Sequence, residues 1–140
     1  MSHILKPRAS LIVINEQQEI LLMERYKGNR HYWVFPGGGV EDNETFEAAA
    51  IREAMEEVSL SIHCLSHTFT ISNEGREEQF FVAIDFSGEV KLGIGPERGK
   101  SSPTNTYSPS WIAINKLCEL NLFPIEGKRA LLDQYLRSVL

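Results

Sequence analysis

The chain has 140 residues, a net charge of −5, and an ordinary balance of 42% hydrophobic and 24% charged residues. That length suits one domain, expected to span residues 1–140, with enough apolar side chains for a core. The acidic balance argues against a basic surface for nucleic-acid polymers, and the longest apolar runs, such as Leu11 to Ile14, are too short to cross a membrane.

Met1 to Ser10 carries Lys6, Pro7 and Arg8 and no long apolar core, so it does not read as a secretory signal. A cytoplasmic location is the default expectation. Ala9 to Ile14 and Glu19 to Arg25 read as strands joined by the polar turn Asn15-Glu16-Gln17-Gln18. The basic loop Lys27 to Arg30 precedes a short strand at His31 to Phe35, and the glycine turn Gly37-Gly38-Gly39 follows. Thr45 to Val58 reads as a helix, with Thr45 as N-cap and Glu47 in the first turn. Leu60 to Ser72 and Glu77 to Phe86 read as strands around a turn at Asn73-Glu74-Gly75. Gly88 to Pro109 is rich in Gly, Pro, Ser and Thr and reads as a long irregular segment. Tyr107 to Ile114 gives another strand, and Ile125 to Leu140 an amphipathic helix, apolar at Leu131, Leu132, Tyr135, Leu136 and Val139. Strands on either side of a central helix, with a terminal helix, predict an α/β or α+β fold. Cys64 and Cys118 lack metal-ligand spacing and read as buried or incidental thiols in a reducing compartment. His63 and His67 are four apart, but in a segment that reads as extended, so a structural or exposed pair is expected rather than a metal pair.

The central helix is the informative element. Glu53, Glu56 and Glu57 stand at i, i+3 and i+4, where side chains share a face and like charges repel. A cluster that costs stability has a use in holding hard divalent cations, which prefer oxygen ligands and are shared between carboxylates and a substrate phosphate. Ile51, Met55 and Val58, with Ala48 and Ala54 beside them, form the expected core-facing stripe opposite the acids. Taken alone, Glu-x-x-Glu-Glu is better read as a solvated acidic stripe. The glycines ahead of it and the fixed spacing change that balance.

Gly38, Glu44, Arg52, Glu53, Glu56, Glu57 and Leu60 resemble the signature of the Nudix hydrolases, which cleave nucleoside diphosphates linked to another moiety. That pattern is Gly, five residues, Glu, seven residues, then Arg-Glu-U-x-Glu-Glu-x-Gly-U, where U is a bulky aliphatic. Six fixed residue types in register arise by chance about once in 10⁷ placements, at a frequency of roughly 0.06 each. The likeness extends from about Arg8 to about Pro124, through Ile20 to Arg25, Trp33 to Gly38 and Trp111 to Leu117. Two positions depart: Ala54 is smaller than the usual aliphatic, and Ser59 replaces the final glycine. If that position needs a left-handed backbone, a non-glycine there costs about 1 kcal/mol.

The resemblance implies an α/β/α sandwich, a mixed β-sheet between helices, and Mg²⁺-dependent (Mn²⁺ as the alternative) hydrolysis of a pyrophosphate bond. It makes Glu56 and Glu57 metal ligands, Glu53 a metal ligand or base, and the Gly38 carbonyl a further ligand. Glu44 and Arg52 are expected to form an internal ion pair that holds the loop against the helix. The general base varies among such proteins and is left open. Arg25, Lys27 and Arg30 are candidates to grip phosphates, with a solvated basic loop as the equal alternative. Arg8, at the start of a strand, faces either substrate or water. Glu97 is a candidate extra ligand or base from the late loop. Tyr32, Phe80 and Phe81 are candidates to stack on a base, although aromatic residues in strands are more often core.

The substrate expected is a small nucleotide derivative: ADP-ribose-like, a nucleotide sugar, or a nucleoside triphosphate. The long late loop tips the balance slightly toward the first two. A proline or tyrosine 15 to 17 residues beyond the signature marks some relatives; here Gly75, Arg76 and Glu77 stand there, and no coenzyme A or NADH signature is seen. The rival from another class is a nucleotide-sensing module of the same fold that has lost catalysis. Retention of every carboxylate favours the enzyme. A related isomerase would need a cysteine or glutamate constellation that Cys64 and Cys118 do not supply. A homodimer is compatible with the sequence, and nothing in it demands one.

Overall fold

The computed structural model describes residues 5–91 and 105–139. Its first sheet has the order β4-β1-β6-β5. Here β1 (Arg8–Ile12) lies antiparallel to β4 (Gly37–Gly39) and parallel to β6 (Arg76–Ser87), and β5 (Ser61–Asn73) closes the sheet beside β6. The second sheet has the order β7-β2-β3-β8, formed by β2 (Glu19–Lys27), β3 (Arg30–Val34), β7 (Asn105–Ala113) and β8 (Leu122–Phe123). Both sheets mix parallel and antiparallel pairs. Helix α1 (Phe46–Val58) follows β4, a 3₁₀ turn (Ile114–Glu119) follows β7, and helix α2 (Ile125–Val139) ends the chain.

The single mixed sheet expected is thus divided in two. The chain leaves β3 at Phe35-Pro36 and re-enters as β4 in the other sheet. Pro36 has no N–H for a ladder, while its carbonyl accepts from Leu11 N–H at 2.9 Å and ties the sheets together.

Both faces of this layer are covered, which explains why β1 and β2 read as almost continuous apolar runs. Ala9, Leu11, Leu21 and Met23 join one buried cluster with Ala49, Ala50, Ala54 and Val58 of α1. Ile12, Ile20 and Leu22 join another with Trp33, Phe35, Phe80, Leu117 and Leu131, against which Leu132 and Tyr135 of α2 pack. Alternate residues of each strand face opposite helices, so the α/β/α sandwich follows from period-2 alternation with both sides apolar. Phe80 and Phe81 are fully buried and belong to the core.

Turn chemistry holds the strands in register. Asn15 Oδ1 accepts from the N–H groups of Gln17 (3.0 Å) and Glu19 (2.9 Å), closing the first turn. Glu74 and Gly75 both have positive φ, 54° and 85°, in the two-residue hairpin between β5 and β6. Two short strands, β4 and β8, were not legible as strands. Strand β7 begins at Asn105, inside the stretch expected to be irregular, and runs through Pro109 opposite Met23. Cys64 and Cys118 are exposed free thiols, not buried ones. His63 and His67 lie on β5 and bond separately, to Ser87 and Thr70, at 2.7 Å each.

The face of α1 differs from expectation. Ile51 and Met55 are 43% and 48% exposed, while Ala49, Ala50, Glu53, Ala54, Glu57 and Val58 form the inward stripe. Alanines permit a closer approach to β1 and β4 than the larger side chains would. That approach turns Glu53 and Glu57 inward. Thr45 caps the helix, its hydroxyl accepting from Ala48 N–H at 3.0 Å. At the other end Ser59 is left-handed, φ 64°, and Leu60 N–H donates back to the Ala54 carbonyl at 3.2 Å. A serine Cβ is strained there, so Ser59→Gly is expected to stabilise the fold by about 1 kcal/mol in chemical denaturation.

Candidate active site

Two glycines set the site through close approach. A Cβ at Gly37 would collide with the Ala9 carbonyl oxygen, and its φ of +147° is a glycine conformation. A Cβ at Gly38 would occupy the position of the Glu53 carboxylate. The glycine strand therefore lets β1 on one side and α1 on the other pack directly against bare backbone. Gly37 N–H donates to Glu57 Oε1 at 3.2 Å, and Glu57 is only 4% exposed.

Arg52 gathers the rest. Its Nε and Nη2 donate to Glu44 Oε2 and Oε1 at 2.8 and 2.9 Å, a bidentate fork. Nη2 also donates to the Gly39 carbonyl at 2.9 Å, and Nη1 to Glu53 Oε1 at 2.9 Å and Glu56 Oε2 at 3.0 Å. The hydrogen bonds from Arg52, then the one from Glu41 N–H, lower the Glu44 carboxyl from an ordinary 4.5 to about 2. Glu44 in turn raises the Arg52 guanidinium above its ordinary range. The ion pair expected between Glu44 and Arg52 is present, and it extends to two of the three helix carboxylates.

The residues fit a hard divalent cation by donor chemistry: three carboxylates and the Gly38 backbone at one end of α1, with Glu53 and Glu57 buried. Among the described residues no three such side chains stand preassembled around one point.

Beside Glu57 opens a cavity of about 290 Å³, walled by Arg8, Arg25, Arg76, Asn73, Glu78 and Tyr107 among others. Arg25 therefore shares a cavity with the carboxylate end of the site. Arg30 lines the adjoining cavity instead. Glu97 lies outside the described residues. The floor of the first cavity holds a polar network that sequence reasoning missed. Glu78, 1% exposed, accepts from Ser10 Oγ (2.6 Å) and Asn73 Nδ2 (3.0 Å), with Arg8 Nε at 3.5 Å. Arg8 also donates to the Phe35 carbonyl at 3.2 Å. The available signal was a charged residue, Glu78, at the start of a strand that soon turns apolar. Parallel pairing of Arg8 with Glu78 is what brings these residues together, and no local pattern announces it.

The NUDIX domain family profile matches residues 4–133, and the chain belongs to that family, whose hydrolases generally need a divalent metal. It is 41% identical over 56 residues to RNA pyrophosphohydrolases of Serratia proteamaculans and Pasteurella multocida, covering 40% of this chain and 31% and 27% of those proteins. The chain thus spans about a third of the length of the curated relatives it matches. Among solved structures it resembles a MutT from work on Aliivibrio salmonicida and Vibrio cholerae, with TM-score 0.74, 23% identity, and 95% and 98% of the two chains covered. It also resembles a Caenorhabditis elegans Ap4A hydrolase, with TM-score 0.69, 19% identity, and 94% and 98% covered. These likenesses establish the fold. No described helix is long and apolar enough to cross a membrane.

The two glycines are expected to fail differently. Gly37→Ala should strongly destabilise the protein, because backbone must move. Gly38→Ala should fold, because only the Glu53 side chain must give way, but with metal affinity reduced at least tenfold by calorimetry. The Glu44 carboxyl titrates lower in the folded than in the unfolded chain. Its stabilisation is present above about pH 4.5 and lost as pH falls toward 2. In metal-free buffer, Glu44→Gln should remove that part of the acid limb in a series of melts.

Proposed function

We propose that the chain hydrolyses the pyrophosphate bond of a nucleoside diphosphate derivative, with a divalent cation held by Glu53, Glu56, Glu57 and the Gly38 carbonyl. Mg²⁺ is the first choice and Mn²⁺ also suits an all-oxygen donor set. The observation that carries the reading is one cavity with the buried Glu57 carboxylate at one end and the guanidiniums of Arg8, Arg25 and Arg76 around it. Local identity to RNA pyrophosphohydrolases supports a pyrophosphate bond as what is cut.

A bound divalent cation supplies charge neutralisation at the phosphoryl oxygens and lowers the pKa of water. The protein's part is positioning. Gly37 N–H fixes one Glu57 oxygen and aims the carboxylate at the cavity. Arg52 donates to Glu53 and Glu56 and gathers them beside the Gly39 carbonyl. Arg25 is braced by Asn105 Oδ1 at 2.7 Å and by the Tyr107 ring, so its charge meets a phosphate without much loss of side-chain freedom. Water adds across the phosphoanhydride, and the products are a nucleoside monophosphate and a second phosphate compound. Glu53 serves as ligand or as base. ADP-ribose-like compounds, nucleotide sugars and nucleoside triphosphates form the substrate panel.

Glu57→Gln keeps the acceptor for Gly37 N–H and should fold normally. It should lose nearly all metal-dependent formation of nucleoside monophosphate from that panel. Wild-type turnover in the variant would remove Glu57 from the mechanism. A folded wild type that binds a nucleotide and cleaves none would move the assignment to a sensing module.

A further inference from the structure

The hydrolase reading leaves one buried carboxylate of the first cavity unused, that of Glu78, which is 1% exposed. It stands at the end of a sheet face that is otherwise apolar. Arg8, Ser10 and Ile12 alternate along β1, and their register partners on β6 are Glu78, Phe80 and Val82. Ile12 and Phe80 are buried in the second core cluster, and Val82 packs against it. An apolar residue at 78 would extend that cluster. Packed apolar side chains in place of a buried ion pair are often neutral or stabilising. Core packing therefore gives no reason for a carboxylate there.

The two Glu78 oxygens hold groups that reach the cavity. Oε1 accepts from Asn73 Nδ2 at 3.0 Å, and Asn73 stands opposite Arg76 across the two-residue hairpin. Oε2 accepts from Ser10 Oγ at 2.6 Å and lies 3.5 Å from Arg8 Nε. Ser10 Oγ in turn accepts from Arg8 Nε at 3.1 Å, so the hydroxyl links the carboxylate to the guanidinium. The Phe35 carbonyl accepts from Arg8 Nη2 at 3.2 Å. These bonds take the Nε–Nη2 edge of Arg8. Among the described residues Nη1 has no hydrogen-bond partner, and Arg8 walls the cavity that Glu57 enters. A guanidinium pinned along one edge donates from its other end to a phosphate with little further loss of side-chain freedom.

We propose that Glu78 is a positioning residue: through Ser10 it holds the Arg8 guanidinium so that Arg8 meets a phosphate oxygen of the ligand. Glu78 itself touches no substrate and moves no proton. This deepens the hydrolase reading and rests on it for the phosphoanhydride that is cut. The sign of the effect separates this role from that of a bystander. A carboxylate inside an arginine-lined cavity repels an anion directly, so a Glu78 that merely sits there opposes phosphate binding. A Glu78 that aims Arg8 favours it. Glutamine keeps the size of the side chain and one acceptor oxygen, but it cannot accept at both ends.

The test is a double-mutant cycle in calorimetric binding of inorganic pyrophosphate with Mg²⁺, using the full chain, Arg8→Ala, Glu78→Gln and the pair, with melting curves beside it. A hydrogen bond to a charged group is worth roughly 10- to 150-fold in affinity, and Arg8→Ala should weaken binding by that order. Glu78→Gln should weaken it by about 3- to 30-fold, since Arg8 keeps its charge and its bond to Phe35. The pair should match Arg8→Ala within about twofold. Ser10→Ala removes only the bridging hydroxyl. It should act in the same direction as Glu78→Gln, and it decides the question if the glutamine variant does not fold. Tighter or unchanged binding in these variants, a loss that persists on the Arg8→Ala background, or a wild type that takes up no pyrophosphate would overturn the proposal. The expected cycle in a protein that cleaves no compound of the nucleotide panel would end the hydrolase reading and leave the positioning role standing. Turnover with Michaelis constants indifferent to Glu78→Gln would do the reverse.

Discussion

The Arg52 guanidinium is the interaction on which the site depends. Three carboxylates within five residues of one helix repel one another, and two of them are turned into the fold. Desolvated carboxylates without a partner cost more than a helix of this length provides. Arg52 meets that cost for Glu53, and the Gly37 N–H offsets it for Glu57. The guanidinium forks onto Glu44, reaches the Gly39 carbonyl and still donates to Glu53 and Glu56. One side chain thereby ties the loop after β4 to Glu53 and Glu56 of α1. Lysine has the charge but not the fork, so it cannot make this set of bonds.

The glycine strand and the alanine face of α1 answer the same constraint from the other side. The helix must approach backbone closely if Glu53 and Glu57 are to reach the Gly37–Gly39 segment. Side chains at Gly37 or Gly38 would fill that gap, and large residues in place of Ala49, Ala50 or Ala54 would hold the helix away. Ala54, a departure from the signature, is completely buried and packs in the core cluster. Ser59, the other departure, keeps the left-handed turn at a cost in strain. The machinery of the site is preserved through both.

Beyond the helix the cleft is graded in chemistry. Glu57 and Glu78 line the first cavity with the guanidiniums of Arg8, Arg25 and Arg76, and the adjoining one is lined by Tyr32, Phe123, Pro124 and Ile125 with Arg30, Glu74 and Glu126. That lining is assembled across both sheets. It comes from strands that are distant in sequence: β1 brings Arg8, β2 brings Arg25, the β5–β6 hairpin brings Asn73 and Arg76, and β8 brings Phe123.

The sequence by itself determined what is local. Helix α1 and its cap, the turn at Asn15, the glycines, the long strands and the pairing of Glu44 with Arg52 were all legible, because each is set by residues within one turn or one motif. What only the tertiary structure decided depends on contacts between distant segments. The inward face of α1 was misjudged from hydrophobicity: Ile51 and Met55 are the larger apolar residues, yet close approach selected the alanines. The chain crosses from one sheet to the other at Phe35-Pro36, where the Pro36 carbonyl bonds Leu11 N–H, and β4 and β8 are too short to carry a periodic pattern. Glu78, Asn73 and Arg76 entered the cleft through the parallel register of β1 with β6 and a two-residue hairpin. Strand register is fixed by burial over the whole sheet, so no window of sequence contains it.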